Sequence, residues 1–163
     1  MTSKRIATDG LVLSLALVLS YIDSLIPMPI PVAGIKLGLA NMAVLFALYK
    51  MGPADAAIVS ITRVILSGLM FAGMSGIMYS LSGALFGLLI MLLAKRYTDY
   101  HIVTVSVCGS LAHIMGQLLV AGLMVGMGVV TYYGPILLVA AFFTGAITGT
   151  ITRLVINSLN RVV

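Results

Sequence analysis

Apolar residues run along this chain in long blocks, separated by short polar, proline or glycine stretches, and the blocks predict helices. The first extends from Ile6 to Ile26, with Asp9 near one end and Asp23 near the other. A basic start precedes it, yet it is too long for a signal-peptide core and no small-x-small cleavage pattern follows. Pro27, Pro29 and Pro31 end it, because each removes a backbone donor and fixes φ. A second span, about 37–50, is short for a bilayer, so part of the 27–36 linker is expected to dip into the membrane under cover of protein. Gly52-Pro53 is a turn, with Pro53 placed to begin the next helix. Further spans are expected at about 54–72, 77–94, 101–125 and 135–156, with 126–134 as a loop.

Composition turns these blocks into membrane spans. Of 163 residues, 61% are hydrophobic and 8% charged, whereas a soluble domain is about a quarter charged. The expectation is an all-α integral membrane protein, a single domain of six transmembrane helices. The net charge of +5 matters less than its placement. With the N-terminus inside, Lys4, Arg5, Lys50, Lys95, Arg96, Arg153 and Arg161 fall at or near the cytoplasmic side. Lys36 falls outside and Arg63 lies in mid-membrane, an asymmetry that puts both termini in the cytoplasm. That distribution points to a bilayer rather than nucleic acid, in the plasma membrane of a prokaryote. The lone cysteine, Cys108, excludes an intramolecular disulfide.

Candidate chemistry comes from polar residues stranded in apolar spans. Ser110, His113 and Gln117 are spaced by three and then four residues and share one helical face. Such a face looks into protein or a water-filled cavity, either to recognise a ligand or to hold helices together. Arg63 shares a face with Ser60 and Ser67. A guanidinium near the bilayer centre costs at least ~2.5 kcal/mol and cannot be relieved by deprotonation. Its partner is an anionic ligand, backbone carbonyls at a broken helix, or an acid displaced from the depth its span assigns. Lys36 and Asn41 flank the outer entry to the second span, while Tyr79 and Ser82 lie at similar depth on the fourth. Gly10 and Ser14, and Ala16 and Ser20, are four apart on the first helix, spacing that admits a close helix neighbour from this chain or a partner. No phosphate-binding loop, paired acids or Cys/His cluster occurs. A hydrolytic or metal-dependent enzyme is not supported, and no cofactor is implied.

Gly34-Ile35-Lys36-Leu37-Gly38-Leu39-Ala40-Asn41, the segment from Arg63 to Gly73, Ala112-His113-Ile114-Met115-Gly116-Gln117-Leu118-Leu119 and the Thr144 to Gly149 region resemble the Gx transporter family, also labelled heptaprenyl diphosphate synthase component I. That family is similar to the substrate-binding S components of energy-coupling factor (ECF) importers. The resemblance implies a vitamin-like solute captured at the outer face, a transmembrane T component and two cytoplasmic ATPases. It also places the T-component contact on the small residues of the first helix, here Gly10, Ser14, Ala16 and Ser20. The older label implies prenyl chain elongation, which resembles chemistry run by aspartate-rich magnesium motifs. No two acids lie close together here, so a catalytic role in that reaction is not expected.

Lys36, Asn41, Arg63, Ser67, Tyr79, Ser82, Ser110, His113 and Gln117 are therefore the expected solute-binding residues, gated by the 27–36 and 126–134 loops. The expected solute is flavin-, quinone- or prenyl-related. A non-catalytic scaffold for an isoprenoid, quinone or flavin enzyme is the alternative.

Overall fold

The computed structural model describes residues 3–26, 38–97 and 101–162, and every regular element in them is helical. Helix α1 spans Ser3–Leu25, α2 Asn41–Lys50 and α3 Pro53–Ser67, which continues into a π-helical turn at Gly68–Ala72. Helix α4 spans Gly73–Tyr97, α5 Ile102–Met124 and α6 Met127–Val162. Four stretches are long and apolar enough to cross a membrane: Arg5–Leu25, Pro53–Tyr97, Ile102–Met124 and Met127–Arg161.

The 45-residue stretch is not one rod. Gly73 breaks it with φ +70°, a left-handed conformation that glycine adopts without penalty. A Cβ on Gly68 would collide with the Ile77 side chain, although residues nine apart in a straight helix stand about 13.5 Å apart along the axis. The chain therefore bends sharply at Gly73, separating α3 with its π turn from α4. These two halves and the other three stretches make five helices of crossing length in a multi-pass membrane protein.

Helix α2 is the exception. Its ten residues rise about 15 Å, half of a hydrocarbon core. It sits at the centre, packed against α1, α3, α4, α5 and α6, and buries Ala43, Val44, Leu45, Ala47 and Leu48. A buried helix end needs partners for its unpaired backbone groups, and α2 has them at both ends. At its start, the Asn41, Met42 and Ala43 amides donate to the Gly38, Leu39 and Ala40 carbonyls, and Asp23 Oδ2 accepts from the Gly38 and Leu39 amides just upstream at 2.9 and 3.3 Å. At its finish, Lys95 Nζ donates to the Leu48 carbonyl at 2.6 Å, while the Lys50 side chain ties the helix to Asn160 Oδ1 on α6. An acid at the N-terminus and cations at the C-terminus also match the helix dipole.

The remaining helices form a wall around α2. Helix α5 packs along its length against α4 on one side and α6 on the other, through small residues. A Cβ on Gly116 would lie 2.7 Å from the Ser82 carbonyl oxygen, and one on Gly149 would lie 2.8 Å from Val103 Cα. Ser106 and Thr148 bridge α5 and α6 at 3.1 Å. Helix α1 leans on α2 and α3 and, among the described residues, does not pack against α4, α5 or α6. Arg5 pins its start by a bidentate pair with Asp55, a buried acid in the first turn of α3, at 2.8 Å.

Helix α6 corrects one sequence expectation. It begins at Met127, so 126–134 is not a loop and Pro135 lies inside the helix. Proline is tolerated in membrane helices where neighbouring groups satisfy the freed backbone. Just upstream, Thr131 donates its hydroxyl to the Met127 and Gly128 carbonyls. At 36 residues the helix is about 54 Å long, well beyond a ~30 Å hydrocarbon core, so it tilts or projects from it.

Candidate functional site

The start of α2 is where the polar residues meet. Arg63 comes from the middle of α3 and is buried, with Nη1 donating to Ser20 Oγ of α1 at 3.4 Å. Asp23, one turn beyond Ser20, is also buried and its charge acts on the guanidinium. From α5, His113 and Gln117 are fully enclosed, with His113 Nε2 3.0 Å from Gln117 Nε2.

Glycines make room for this packing. A Cβ on Gly83 of α4 would stand 2.8 Å from His113 Cε1 and 2.9 Å from both Nδ1 and the His113 carbonyl oxygen. One on Gly87 would stand 3.2 Å from His113 Cβ. Gly38, with φ +86°, brings α2 close: a Cβ there would be 3.0 Å from Asn41 Nδ2 and 3.5 Å from His113 Cδ2. The Asn41 amide and the His113 ring therefore share the space beside Gly38.

Among the described residues Arg63 Nε and Nη2 and Asn41 Nδ2 are buried with no hydrogen-bond partner, and His113 Nδ1 has none of good geometry, although the Gly83 backbone lies against the ring and acts on it. With the Gln117 amide oriented to donate, His113 Nε2 accepts and the ring proton sits on Nδ1. All four atoms are then donors, and the charge of Arg63 acts on the same ring. Each unsatisfied buried donor costs about 1–3 kcal/mol, more when charged. The arrangement suits a group with several acceptor atoms, preferably anionic.

The other expected residues divide. Ser67 is buried one turn past Arg63 and donates to the Val64 carbonyl of its own helix. Tyr79 packs in an apolar cluster with Ile114, Leu118, Ala121, Leu137 and Ala141. Ser82 spends its hydroxyl on the Gly116 carbonyl at 2.8 Å, a helix-packing bond. Ser110 lies against Gly145 of α6, whose added Cβ would meet its Oγ at 3.0 Å. Lys36 and the 27–36 linker lie outside the described residues. On α1 the small pairs separate: Gly10 and Ser14 are exposed, whereas Ala16 and Ser20 are buried inside the chain and closed to a partner. Pattern alone places Asp23 and Gly38 on the chain without assigning them to this cluster, and it does not single out Gly83 or Gly87. The readable signal for Asp23 was charge balance, since a buried arginine demands an acid and the chain has four.

Fold and site define a multi-pass helical membrane protein with a buried, donor-rich cluster where a short central helix begins. A family model described as heptaprenyl diphosphate synthase component I matches residues 12–155, and the chain belongs to that family. The family is named for one component of a synthase, which implies a partner protein at the membrane. Comparison with curated proteins and with solved structures finds no match.

Proposed function

We propose that this chain is the solute-binding S component of an ECF-type importer, working with a transmembrane T component and two cytoplasmic ATPases in a prokaryotic plasma membrane. The observation that carries the binding reading is the set of unpaired buried donors on Arg63, Asn41 and His113. A cluster serving only to hold helices together gains nothing from open donors such as Arg63 Nε, Arg63 Nη2 and Asn41 Nδ2, because each weakens the fold it is meant to support. A solute presenting a carboxylate, phosphate or carbonyl edge satisfies them, and Gln117 fixes the His113 ring that receives it. Flavin-, quinone- and prenyl-related solutes all carry such groups. Gly10 and Ser14, open on α1, are the available part of the expected T-component contact.

A second reading rests on the family's name: a non-catalytic membrane subunit of a prenyl diphosphate synthase. In this reading too the chemistry belongs to the partner chain.

Capture of the tagged full chain from its native membrane, followed by identification of co-purifying polypeptides, separates the two. Two ATPases with a second membrane protein support the importer. A soluble synthase chain without ATPases overturns it in favour of the subunit reading.

A further inference from the structure

Helix α2 points its start at the Arg63 cluster and its finish at a second feature, a groove of about 500 Å³ between the ends of α2, α3 and α4. Leu48, Pro53, Leu92 and Leu93 form its apolar wall, and Lys95 and Arg96 supply its charge. A cation at a membrane edge ordinarily extends towards water. Lys95 is exposed, yet its ammonium turns back onto the chain, donating to the Leu48 carbonyl at 2.6 Å and lying 4.7 Å from the centre of the Tyr49 ring. Arg96 lies over the Tyr97 ring at 5.7 Å.

Among the described residues neither cation is paired with a carboxylate. Among the described residues the ion pair formed is Arg5–Asp55. Two positive charges therefore border an apolar-walled groove with no carboxylate paired to them among the described residues, and Leu93 of that wall is exposed.

We infer that this groove binds a phosphorylated amphiphile, with its phosphate or diphosphate between Lys95 and Arg96 and its hydrocarbon chain along Leu92 and Leu93. Basic pockets between membrane helices recognise anionic headgroups in this way. A ligand with both parts comes from two sources: an anionic phospholipid of the surrounding bilayer, or a prenyl diphosphate. The inference does not depend on the role of the Arg63 cluster.

Native mass spectrometry of the detergent-purified full chain tests it, with phosphatidylglycerol, phosphatidylcholine, farnesyl diphosphate and inorganic pyrophosphate as probes. The wild type is expected to bind phosphatidylglycerol or farnesyl diphosphate in preference to phosphatidylcholine, and the tighter of the two identifies the source. Each basic residue near an anionic headgroup is worth about fivefold in affinity, so Arg96→Gln should lose about fivefold and Lys95→Gln/Arg96→Gln about 25-fold. Arg96 is exposed at the end of α4, so its single variant tests binding even if loss of the Lys95 bond to Leu48 unsettles the double variant. Unchanged binding in Arg96→Gln overturns the inference. So does an equal loss in Arg161→Gln, which would indicate diffuse charge, or equal binding of pyrophosphate, which has no chain.

Discussion

The Asp23–Arg63 relation is the feature most open to quantitative test. Asp23→Asn keeps the shape and an acceptor for the Gly38 and Leu39 amides, now bonded at 2.9 and 3.3 Å, but removes the charge. A hydrogen bond to a charged group contributes about 1.5–3 kcal/mol against about 1 kcal/mol for a neutral one, so two such bonds lose about 2 kcal/mol together. Removing the negative charge from the start of α2 adds about 0.3–1 kcal/mol. The substitution should therefore cost about 3 kcal/mol before Arg63 is considered. Arg63 then loses the acid whose charge acts on it, which the double variant Asp23→Asn/Arg63→Met isolates. Residues of one polar network couple by about 0.5–3 kcal/mol, and a value of at least ~1 kcal/mol is expected here because both groups are buried and the charge of Asp23 acts on Arg63. Equilibrium unfolding in mixed micelles of increasing SDS fraction reads all four free energies. Additivity within about 0.5 kcal/mol would refute the reasoning and leave the Arg63 charge compensated elsewhere.

Two further outcomes follow from the packing and the charge distribution. Gly83→Ala should destabilise by about 1–3 kcal/mol, because its Cβ meets a backbone oxygen that cannot turn aside. Gly10→Ala, with nothing within 4 Å, should stabilise α1 by up to about 1 kcal/mol in the same unfolding assay; similar effects at both sites would mean that α4 and α5 are not in close contact. Cysteine labelling in a Cys108→Ser background should mark position 74 and position 126 from outside and position 161 from inside, and labelling of 126 and 161 from the same face would break the proposed topology.

Much of the helical layout can be read from hydrophobic blocks, because a bilayer forces long apolar runs to satisfy their backbones internally. The residues His113, Gln117, Arg63 and Asn41 stand out for the same reason: polar groups are conspicuous in such runs. What pattern alone leaves hidden is depth. Asp23 reads as the outer end of α1, yet it reaches Gly38 and Leu39 at the start of α2, which begins at Asn41 instead of 37. Ala16 and Ser20 read as one more small pair, and only the packing shows that Ser20 is turned inward to accept from Arg63. At the other end, Tyr132, Tyr133, Gly134 and Pro135 have the composition of a loop, but α6 runs through them. Gly83 and Gly87 resemble the other small residues of the spans until the neighbour each admits is known to be His113.

The central claim is that a solute completes the donors on Arg63, Asn41 and His113. An experimental structure of the chain purified from its native membrane, compared with that of Arg63→Met prepared identically, tests it most directly. Density for a small molecule is expected in the wild type, with acceptor atoms within hydrogen-bond distance of Arg63 Nη2, Asn41 Nδ2 and His113 Nδ1, and its loss is expected in the variant. The same donors closed by protein groups alone, with the cluster otherwise unchanged in the variant, would contradict it.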